Sequence, residues 1–345
     1  MSIGPLMIDL KGTHIDAEEE DWLRHPAVGG VILFTRNYAD VDQLKSLITE
    51  LHEMKKPRLL VAIDQEGGRV QRLREGFLPV PPMREFGKEF DVNPTHALKL
   101  CELTAWVLAN ELRSIGIDFT FAPVLDLDTG VSEVIGDRAF HGDIDAVSAL
   151  ASKFTLGLRK GGMEAVGKHF PGHGSVTEDS HMECPVDHRY ENDLWLSDLV
   201  PFQRLIDHGI AGIMSAHIVY DHVDKCPASF SKYWLTKILR EQFGFQGAVF
   251  SDDMSMQGAK TFGSIESRLQ AALAAGSDMI LLCNCPQDIP TAIALLDDYN
   301  NPSSQLRLAR FHGKKPQNIS PDDRHQVENY VRQYQKNKSL SLELD

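Results

Sequence analysis

The sequence has no long apolar run and little clustered positive charge. The longest apolar segments, such as residues 279–283, are far shorter than the roughly 18 residues that a membrane-spanning helix requires. Its 35 basic residues are outnumbered by 49 acidic ones, for a formal net charge of −14, and Lys and Arg form no block. Because nucleic-acid binding depends largely on neutralising phosphates, we expect neither a membrane protein nor a nucleic-acid-binding protein.

Cysteine is also scarce, and no C-x-x-C pair occurs. The 5 cysteines are Cys101, Cys184, Cys226, Cys283 and Cys285. An odd and scattered set suits a reducing cytosol better than a disulfide framework. The N-terminal segment lacks the basic region that opens an export signal, and Asp9 ends its short apolar stretch. We therefore expect a cytoplasmic protein whose thiols are buried and inert.

Apolar segments bounded by Gly, Pro and polar residues recur along the chain, and each is strand-sized. They are residues 5–9, 30–34, 59–64, 119–126, 165–169, 211–217, 248–252 and 278–283. Most are continuously apolar, as in parallel strands buried on both faces. Helical periodicity lies between them, for example at 98–112, 147–158, 194–206, 233–243 and 267–275. This alternation predicts an α/β fold, a single-domain (β/α)8 TIM-type barrel, with a doubly wound sheet as the alternative.

The chain changes character near its C-terminus, although no low-complexity linker divides it. Residues 299–304 carry a loop signal, and a polar segment with a predicted helix at 323–335 follows. We therefore expect a catalytic barrel over 1–298 and a polar, helical extension over 299–345 that packs on it. The acidic run at 18–21 is expected to lie on a solvated helix face.

Six of the predicted strands end in an ionisable residue. These residues are Asp9, Asp64, Asp126, His169, His217 and Asp252. Barrel enzymes build their active sites at the C-terminal ends of the strands. One such aspartate could merely cap a helix, but six together predict an active site.

Two polar segments suggest catalytic groups. Residues 168–181 contain Pro171 and two glycines, which predicts a loop, and Asp179 lies two residues before His181. A carboxylate so placed can orient an imidazole and raise its pKa, as a general acid and base requires. At 250–254, Asp252 could attack an electrophilic carbon, while Asp253 suits a helix N-cap.

A third polar segment suggests a ligand grip. At 64–72 a strand-end acid, Asp64, is followed by a glycine turn and by Arg69 and Arg72. Carboxylates accept and guanidinium groups donate hydrogen bonds, so such a cluster can hold a hydroxyl-rich ligand.

Four motifs together resemble glycoside hydrolase family 3. They are D-Q-E-G-G-R-V at 64–70, G-D-R-A-F at 136–140, K-H-F-P-G-H-G-x4-D-S-H at 168–181 and F-S-D-D-M-S-M at 250–256. Within the family the sequence is most similar to the single-domain bacterial cytosolic β-N-acetylglucosaminidases of peptidoglycan recycling. The resemblance extends from about residue 9 to residue 283, in the expected order.

The resemblance implies a (β/α)8-type barrel and a role for each matching residue. Asp252 would be the nucleophile, His181 the acid/base and Asp179 its dyad partner. Residues binding the terminal N-acetylglucosamine would be Asp64, Arg72, Arg138, Lys168 and His169. His173 lies within a motif and is expected to shape its loop.

The activity that the resemblance implies is a retaining exo-β-N-acetylglucosaminidase. Its substrate would be a small carbohydrate, N-acetylglucosamine linked to 1,6-anhydro-N-acetylmuramic acid in a muropeptide. The role would lie in cell-wall biogenesis, and through it in cell shape, the cell cycle and cell division. We expect a cytoplasmic monomer with no cofactor and no metal.

Three alternatives remain open. A metal-dependent barrel hydrolase could use His169, His173, His181, His217 and Asp252 as zinc ligands. A phosphorolytic glycosidase of the same family is possible because a histidine acid/base does not repel phosphate as a carboxylate would. A sugar-binding module without catalysis would need the Asp64 and Arg72 grip but not the Asp179 and His181 dyad.

Overall fold

All eight segments predicted as strands form strands in the structure, a computed structural model that describes residues 3–177 and 184–342. In chain order they are β1 (Leu6–Ile8), β2 (Val28–Leu33), β3 (Leu60–Ile63), β4 (Phe119–Thr120), β5 (Val166–Phe170), β6 (Gly212–Ser215), β7 (Ala248–Ser251) and β8 (Ile280–Leu282). Every residue of these strands is buried. Burial on both faces explains why the segments are continuously apolar.

The pairings among these strands are parallel. One sheet has the order β8-β1-β2-β3-β4, and another has the order β7-β6-β5. Parallel bridges join Thr120 to Ala165 at one seam and Phe250 to Met279 at the other. The two sheets thus meet along both edges, which is the arrangement of the predicted (β/α)8 barrel.

β4 is shorter than the predicted strand at 119–126. Pro123 has no N–H group to donate, so regular pairing ends after Thr120. The chain nevertheless stays beside β5, since the carbonyl of Ala122 accepts from Val166 N at 2.9 Å and that of Pro123 from Lys168 N at 3.2 Å. Asp126 is thereby delivered to the end of β5.

Helices follow the strands around the outside. Their bounds are Ala17–Arg24, Val41–Glu53, Met83–Val92, Pro94–Ser114, Ile144–Lys160, Glu191–Trp195, Leu199–Asp207, a π-helix at Tyr233–Gln242, Gln257–Lys260, Ile265–Ala275, Ile289–Leu295, Pro302–Ala309 and Pro321–Leu342. The single helix predicted at 194–206 is wrong, because two helices with a break at 196–198 occupy that region. Pro201 explains the break, since it is tolerated in the first turn of a helix but not in its interior.

The acidic run at 18–21 is only partly solvated. Glu18 and Glu20 are exposed, but Glu19 is buried, where it accepts hydrogen bonds from Lys11 N at 2.7 Å and Asp16 N at 3.0 Å. The Asp16 side chain in turn accepts from Glu19 N at 2.8 Å. This reciprocal pair is a capping box, so the prediction of a solvated side chain is wrong for Glu19.

The prediction of buried thiols is wrong for two of the five cysteines. Cys184 and Cys226 are half-buried, and the other three are buried; all are free. Burial raises the pKa of Cys226 to about 11 and that of Cys285 to about 12. Thiols with such pKa values are poor nucleophiles at neutral pH.

Phe311 closes the N-terminal end of the barrel. Its fully buried ring lies 4.9 Å from that of Phe119 and 5.1 Å from that of Phe250, and Gly212 leaves the space that the ring occupies. Gly313 N donates to the buried Asp118 at 2.8 Å. The C-terminal segment thus contributes to the barrel core, while the domain division at residue 298 stays a prediction.

No helix in the part of the chain that the structure describes is both long and apolar enough to cross a membrane.

Candidate active site

A cavity of 410 Å³ opens at the C-terminal ends of the strands, a size typical of small-molecule sites. Its polar lining is formed by Asp64, Glu66, Arg69, Arg72, Arg138, Lys168, His169, His173, Asp252, Asp253 and Asn284. Six of the residues predicted from the sequence are among them: Asp64, Arg72, Arg138, Lys168, His169 and Asp252. Asp179 and His181 lie outside the described residues.

The floor of the cavity carries a buried network of charges. Lys168 Nζ lies 2.9 Å from Asp64 Oδ1 and 2.5 Å from Glu66 Oε1. Arg138 donates two hydrogen bonds of 2.9 Å to the same Glu66 carboxylate. Burial would raise the pKa of Glu66, but Arg138 and Lys168 outweigh it and hold that pKa well below its usual range. The network is therefore ionised and rigid at neutral pH.

Glu66, the centre of this network, is absent from the site residues predicted from the sequence. The glycine turn expected after Asp64 is present, since Gly67 and Gly68 have positive φ, and it joins the strands of an antiparallel hairpin, Gln65–Gly67 and Val70–Gln71. Side chains two residues apart in extended chain share a face. Asp64 and Glu66 therefore project together toward Lys168, and this period of two was the signal that could have identified Glu66.

Asp126 orients His169 from below the cavity. His169 Nδ1 lies 2.7 Å from Asp126 Oδ2, and because a carboxylate only accepts, Nδ1 carries the proton. His169 Nε2 therefore faces Arg138 Nη2, 3.4 Å away, as an acceptor. Burial would raise the pKa of Asp126, but His169 outweighs this effect and lowers it.

His173 is held by the same carboxylate. Its backbone N–H donates to Asp126 Oδ1 at 2.7 Å, and its ring packs 5.8 Å from that of His169. Burial, reinforced by His169, lowers the pKa of His173 to about 4. A neutral, buried ring anchored through its backbone fits the expected loop-shaping role.

Asp252 follows β7 and is fixed by the next residue. The backbone N–H of Asp253 donates to Asp252 Oδ1 at 2.8 Å. The Asp253 carboxylate accepts from Ser255 N at 2.9 Å, from Ser255 Oγ at 2.6 Å and from Cys283 N at 3.0 Å. The helix N-cap predicted for Asp253 is wrong, because the next helix begins only at Gln257. Asp253 instead ties the end of β7 to the end of β8.

Three of the six ionisable strand ends do not line the cavity. Besides Asp126, these are Asp9 and His217. The Asp9 carboxylate accepts from Asn284 N at 3.0 Å and from Arg36. His217 Nε2 donates to the carbonyl oxygen of Asp253 at 3.1 Å, and Nδ1 lies 2.7 Å from Ser229 Oγ. These three side chains support the ones that do face the cavity.

Comparison of this sequence with known protein families identifies the family to which the chain belongs. The model of the glycosyl hydrolase family 3 N-terminal domain matches residues 5–309. The chain belongs to glycosyl hydrolase family 3. It is therefore a glycoside hydrolase, and the barrel fold predicted from the strand pattern is confirmed.

Relatives of this family 3 enzyme with similar length are named as β-hexosaminidases. Those of Thioalkalivibrio sulfidiphilus and Methylobacillus flagellatus are each 52% identical to it, over 91% of this chain and 90% of theirs. A crystal structure of NagZ from Neisseria gonorrhoeae in complex with N-trifluoroacetyl-D-glucosamine is 39% identical, with a TM-score of 0.90, and the match covers 96% of this chain and 98% of that one. These relatives confirm the predicted enzyme class, a β-N-acetylhexosaminidase.

The metal-dependent alternative gains no support from the described residues. No group of three or more His, Cys, Asp and Glu side chains suited to a metal ion occurs among residues 3–177 and 184–342. Of the ligands considered, His217 contacts Ser229 and Asp253, and His181 lies outside those ranges.

Proposed function

We propose that this family 3 enzyme is a retaining exo-β-N-acetylglucosaminidase that releases non-reducing terminal N-acetylglucosamine. The observation that carries the proposal is that one cavity is lined by the Asp252 carboxylate and by the buried network of Asp64, Glu66, Lys168 and Arg138. Asp252 would act on the anomeric carbon while the network binds the sugar hydroxyls. The names of the relatives support the N-acetylhexosamine specificity.

In the first step, an Asp252 oxygen bonds to the anomeric carbon while the bond from that carbon to the leaving oxygen breaks. His181 gives its proton to the leaving oxygen. In the second step, water bonds to the anomeric carbon, His181 takes a proton from that water, and the bond to Asp252 breaks. Two inversions give net retention. The N–H of Asp253, 2.8 Å from Asp252 Oδ1, holds the carboxylate in one orientation throughout.

The acid/base role of His181, with Asp179 as its dyad partner, is supported by the sequence motif. Most glycosidases use a second carboxylic acid, whose pKa must be raised to about 6. Imidazole titrates near 6.5 without perturbation, so a histidine can protonate the leaving oxygen and later activate water near neutral pH.

Sugar binding in the terminal subsite would use both signs of charge. The Asp64 carboxylate accepts from hydroxyl groups, and Arg72, Arg138 and Lys168 donate to sugar oxygens. His169 Nε2, directed toward Arg138 by Asp126, has one lone pair and would accept a hydrogen bond from a sugar hydroxyl in place of its 3.4 Å contact with Arg138. These contacts would strengthen as the ring flattens toward an oxocarbenium-like state.

For the natural substrate we propose a muropeptide in which N-acetylglucosamine is linked to 1,6-anhydro-N-acetylmuramic acid. The enzyme would act as a cytoplasmic monomer in peptidoglycan recycling, with consequences for cell shape, the cell cycle and division. This part of the proposal is supported by the resemblance of the four motifs.

The test is release of 4-nitrophenol from its N-acetyl-β-glucosaminide, in excess EDTA and with or without phosphate. We expect hydrolysis that neither addition changes, with the β-anomer of N-acetylglucosamine as the first product by NMR. Asp252→Asn should lose at least about 10³-fold in kcat, whereas the exposed Asp207→Asn should be unaffected. Loss of activity in EDTA, or sugar phosphate as product, would favour one of the rival mechanisms.

His181→Ala tests the acid role separately. Its loss should be much larger on a disaccharide, whose leaving group needs a proton, than on the activated 4-nitrophenyl glycoside. His14→Ala, at an exposed position, is the matched control. Equal losses of His181→Ala on both substrates would contradict the acid role.

A further inference from the structure

Phe34 lies on the cavity wall just after β2, where many of its neighbours are charged. It is only partly buried. Its backbone N–H donates to Asn37 Oδ1 at 2.8 Å, and the fully buried Asn37 donates to the carbonyls of Leu10 and Gly12 at 3.1 and 2.7 Å. The ring therefore projects from a firmly held strand end, yet leaves apolar surface exposed in a polar site.

Two guanidinium groups lie over this ring. The Cζ atom of Arg36 is 4.5 Å and that of Arg72 is 5.4 Å from the ring centroid, both within cation–π range. Arg36 is independently anchored, since it donates to the Asp9 carboxylate and to the carbonyl of Leu10 at 2.9 Å. The contact with Phe34 is not needed to hold Arg36 in place.

Arg72 has no comparable anchor. Its guanidinium makes one long hydrogen bond, 3.4 Å from Nη2 to Asp64 Oδ2, and its buried Nε has no hydrogen-bond partner in the described part of the chain. Arg138 in the same cavity is instead held by two bonds of 2.9 Å to Glu66. The Phe34 ring thus holds the Arg72 guanidinium in place, as the Glu66 carboxylate holds that of Arg138. Unlike a carboxylate, the ring leaves the N–H groups of Arg72 free to donate to a ligand.

We propose that Phe34 is a positioning residue for the terminal sugar. Its ring holds the Arg72 guanidinium over the cavity with most of its donors directed to the hydroxyl oxygens of the bound pyranose. The inference rests on the proposed function, which assigns Arg72 to sugar binding. Because no bond is made or broken at Arg72, loss of the ring should weaken binding and raise KM more than it lowers kcat.

A double-mutant cycle tests this role. We expect Phe34→Leu to raise KM for 4-nitrophenyl N-acetyl-β-glucosaminide about fivefold and to change kcat less than about twofold, while Phe34→Tyr, which keeps the ring, restores KM. In an Arg72→Ala background, Phe34→Leu should change KM less than about twofold. Phe90→Leu, at a partly buried position on the helix Met83–Val92, is the matched control and should leave KM unchanged.

An effect of Phe34→Leu on KM that is equally large with and without Arg72 would overturn the inference, since Phe34 would then act on the ligand directly. An unchanged KM in Phe34→Leu would overturn it as well. Both results leave hydrolysis by the unmodified enzyme intact. Failure of the proposed function is recognised differently, by absence of hydrolysis in the unmodified enzyme, and the inference would fall with it.

Discussion

Replacing Glu66 by alanine should destabilise the protein and weaken sugar binding together. The substitution leaves Arg138 and Lys168 in a buried site where Asp64 is the remaining carboxylate of the network. Glu66 accepts three charge-assisted hydrogen bonds of 2.5 to 2.9 Å. Removing one partner of a buried ion pair costs about 3–5 kcal/mol, because the remaining charge is left without compensation. We expect a loss of about 4 kcal/mol in the free energy of unfolding.

This loss converts into a measurable shift of the melting temperature. A chain of 345 residues has an unfolding entropy of about 0.7 kcal/mol/K at about 2.1 cal/mol/K per residue, so Tm should fall by about 5–6 °C. The assay is differential scanning calorimetry at pH 7. Glu53→Ala, at an exposed position on the helix Val41–Glu53, is the control and should cost less than about 0.5 kcal/mol.

A second variant separates stability from binding. The double variant Glu66→Met, Arg138→Met removes both partners and leaves Lys168 paired with Asp64, so it should recover at least half of the lost stability. Its KM for 4-nitrophenyl N-acetyl-β-glucosaminide should remain raised at least about tenfold, since Arg138 is missing from the cavity. A Tm for Glu66→Ala equal to that of Glu53→Ala would refute the reasoning.

Two further predictions concern Asp253 and Phe311. Burial raises the pKa of Asp253 from 3.8 to about 6, so the folded state binds this proton more tightly than the unfolded state does. The stabilisation of the folded state that results is complete below about pH 4 and is lost as the pH rises through 6. Urea unfolding should therefore show the free energy of unfolding of Asp253→Asn rising relative to that of the unmodified protein by about 2 kcal/mol between pH 4 and 7. A difference that does not depend on pH would contradict this. Phe311→Ala should lower the free energy of unfolding by about 3–5 kcal/mol, because the ring of Phe311 is fully buried. The control Leu306→Ala, whose side chain is 75% exposed in the same segment, should lower it by less than about 0.5 kcal/mol. Equal losses of the two variants in urea unfolding would show that Phe311 does not stabilise the barrel.

The sequence predicted secondary structure correctly wherever the hydrophobic pattern of a single segment was sufficient to define it. Continuous apolar runs predicted all eight barrel strands, because a parallel strand buried on both faces needs no polar residue. The predictions were wrong where a single residue within a segment, such as a proline or a capping glutamate, overrode the hydrophobic or charge pattern of that segment. Pro123 shortened the pairing of β4, Pro201 divided a predicted helix, and Glu19 was drawn inward by a capping box. The acid/base role of His181 stays a prediction from the motif.

Pairing between distant residues was decided by the tertiary structure alone. The sequence by itself determined the eight strands and that six of them end in an ionisable residue; the catalytic and binding roles of those side chains stay predictions. It did not determine that Lys168 bridges Asp64, 104 residues away, or that Arg138 meets Glu66, 72 residues away. Nor did the pattern of ionisable strand ends separate Asp252, which lines the cavity, from Asp9, whose carboxylate instead accepts from Asn284 N. These pairings could not be predicted, for a physical reason. The hydrophobic pattern is a property of each segment, whereas the direction of a side chain at a strand end depends on the register between neighbouring strands of the barrel.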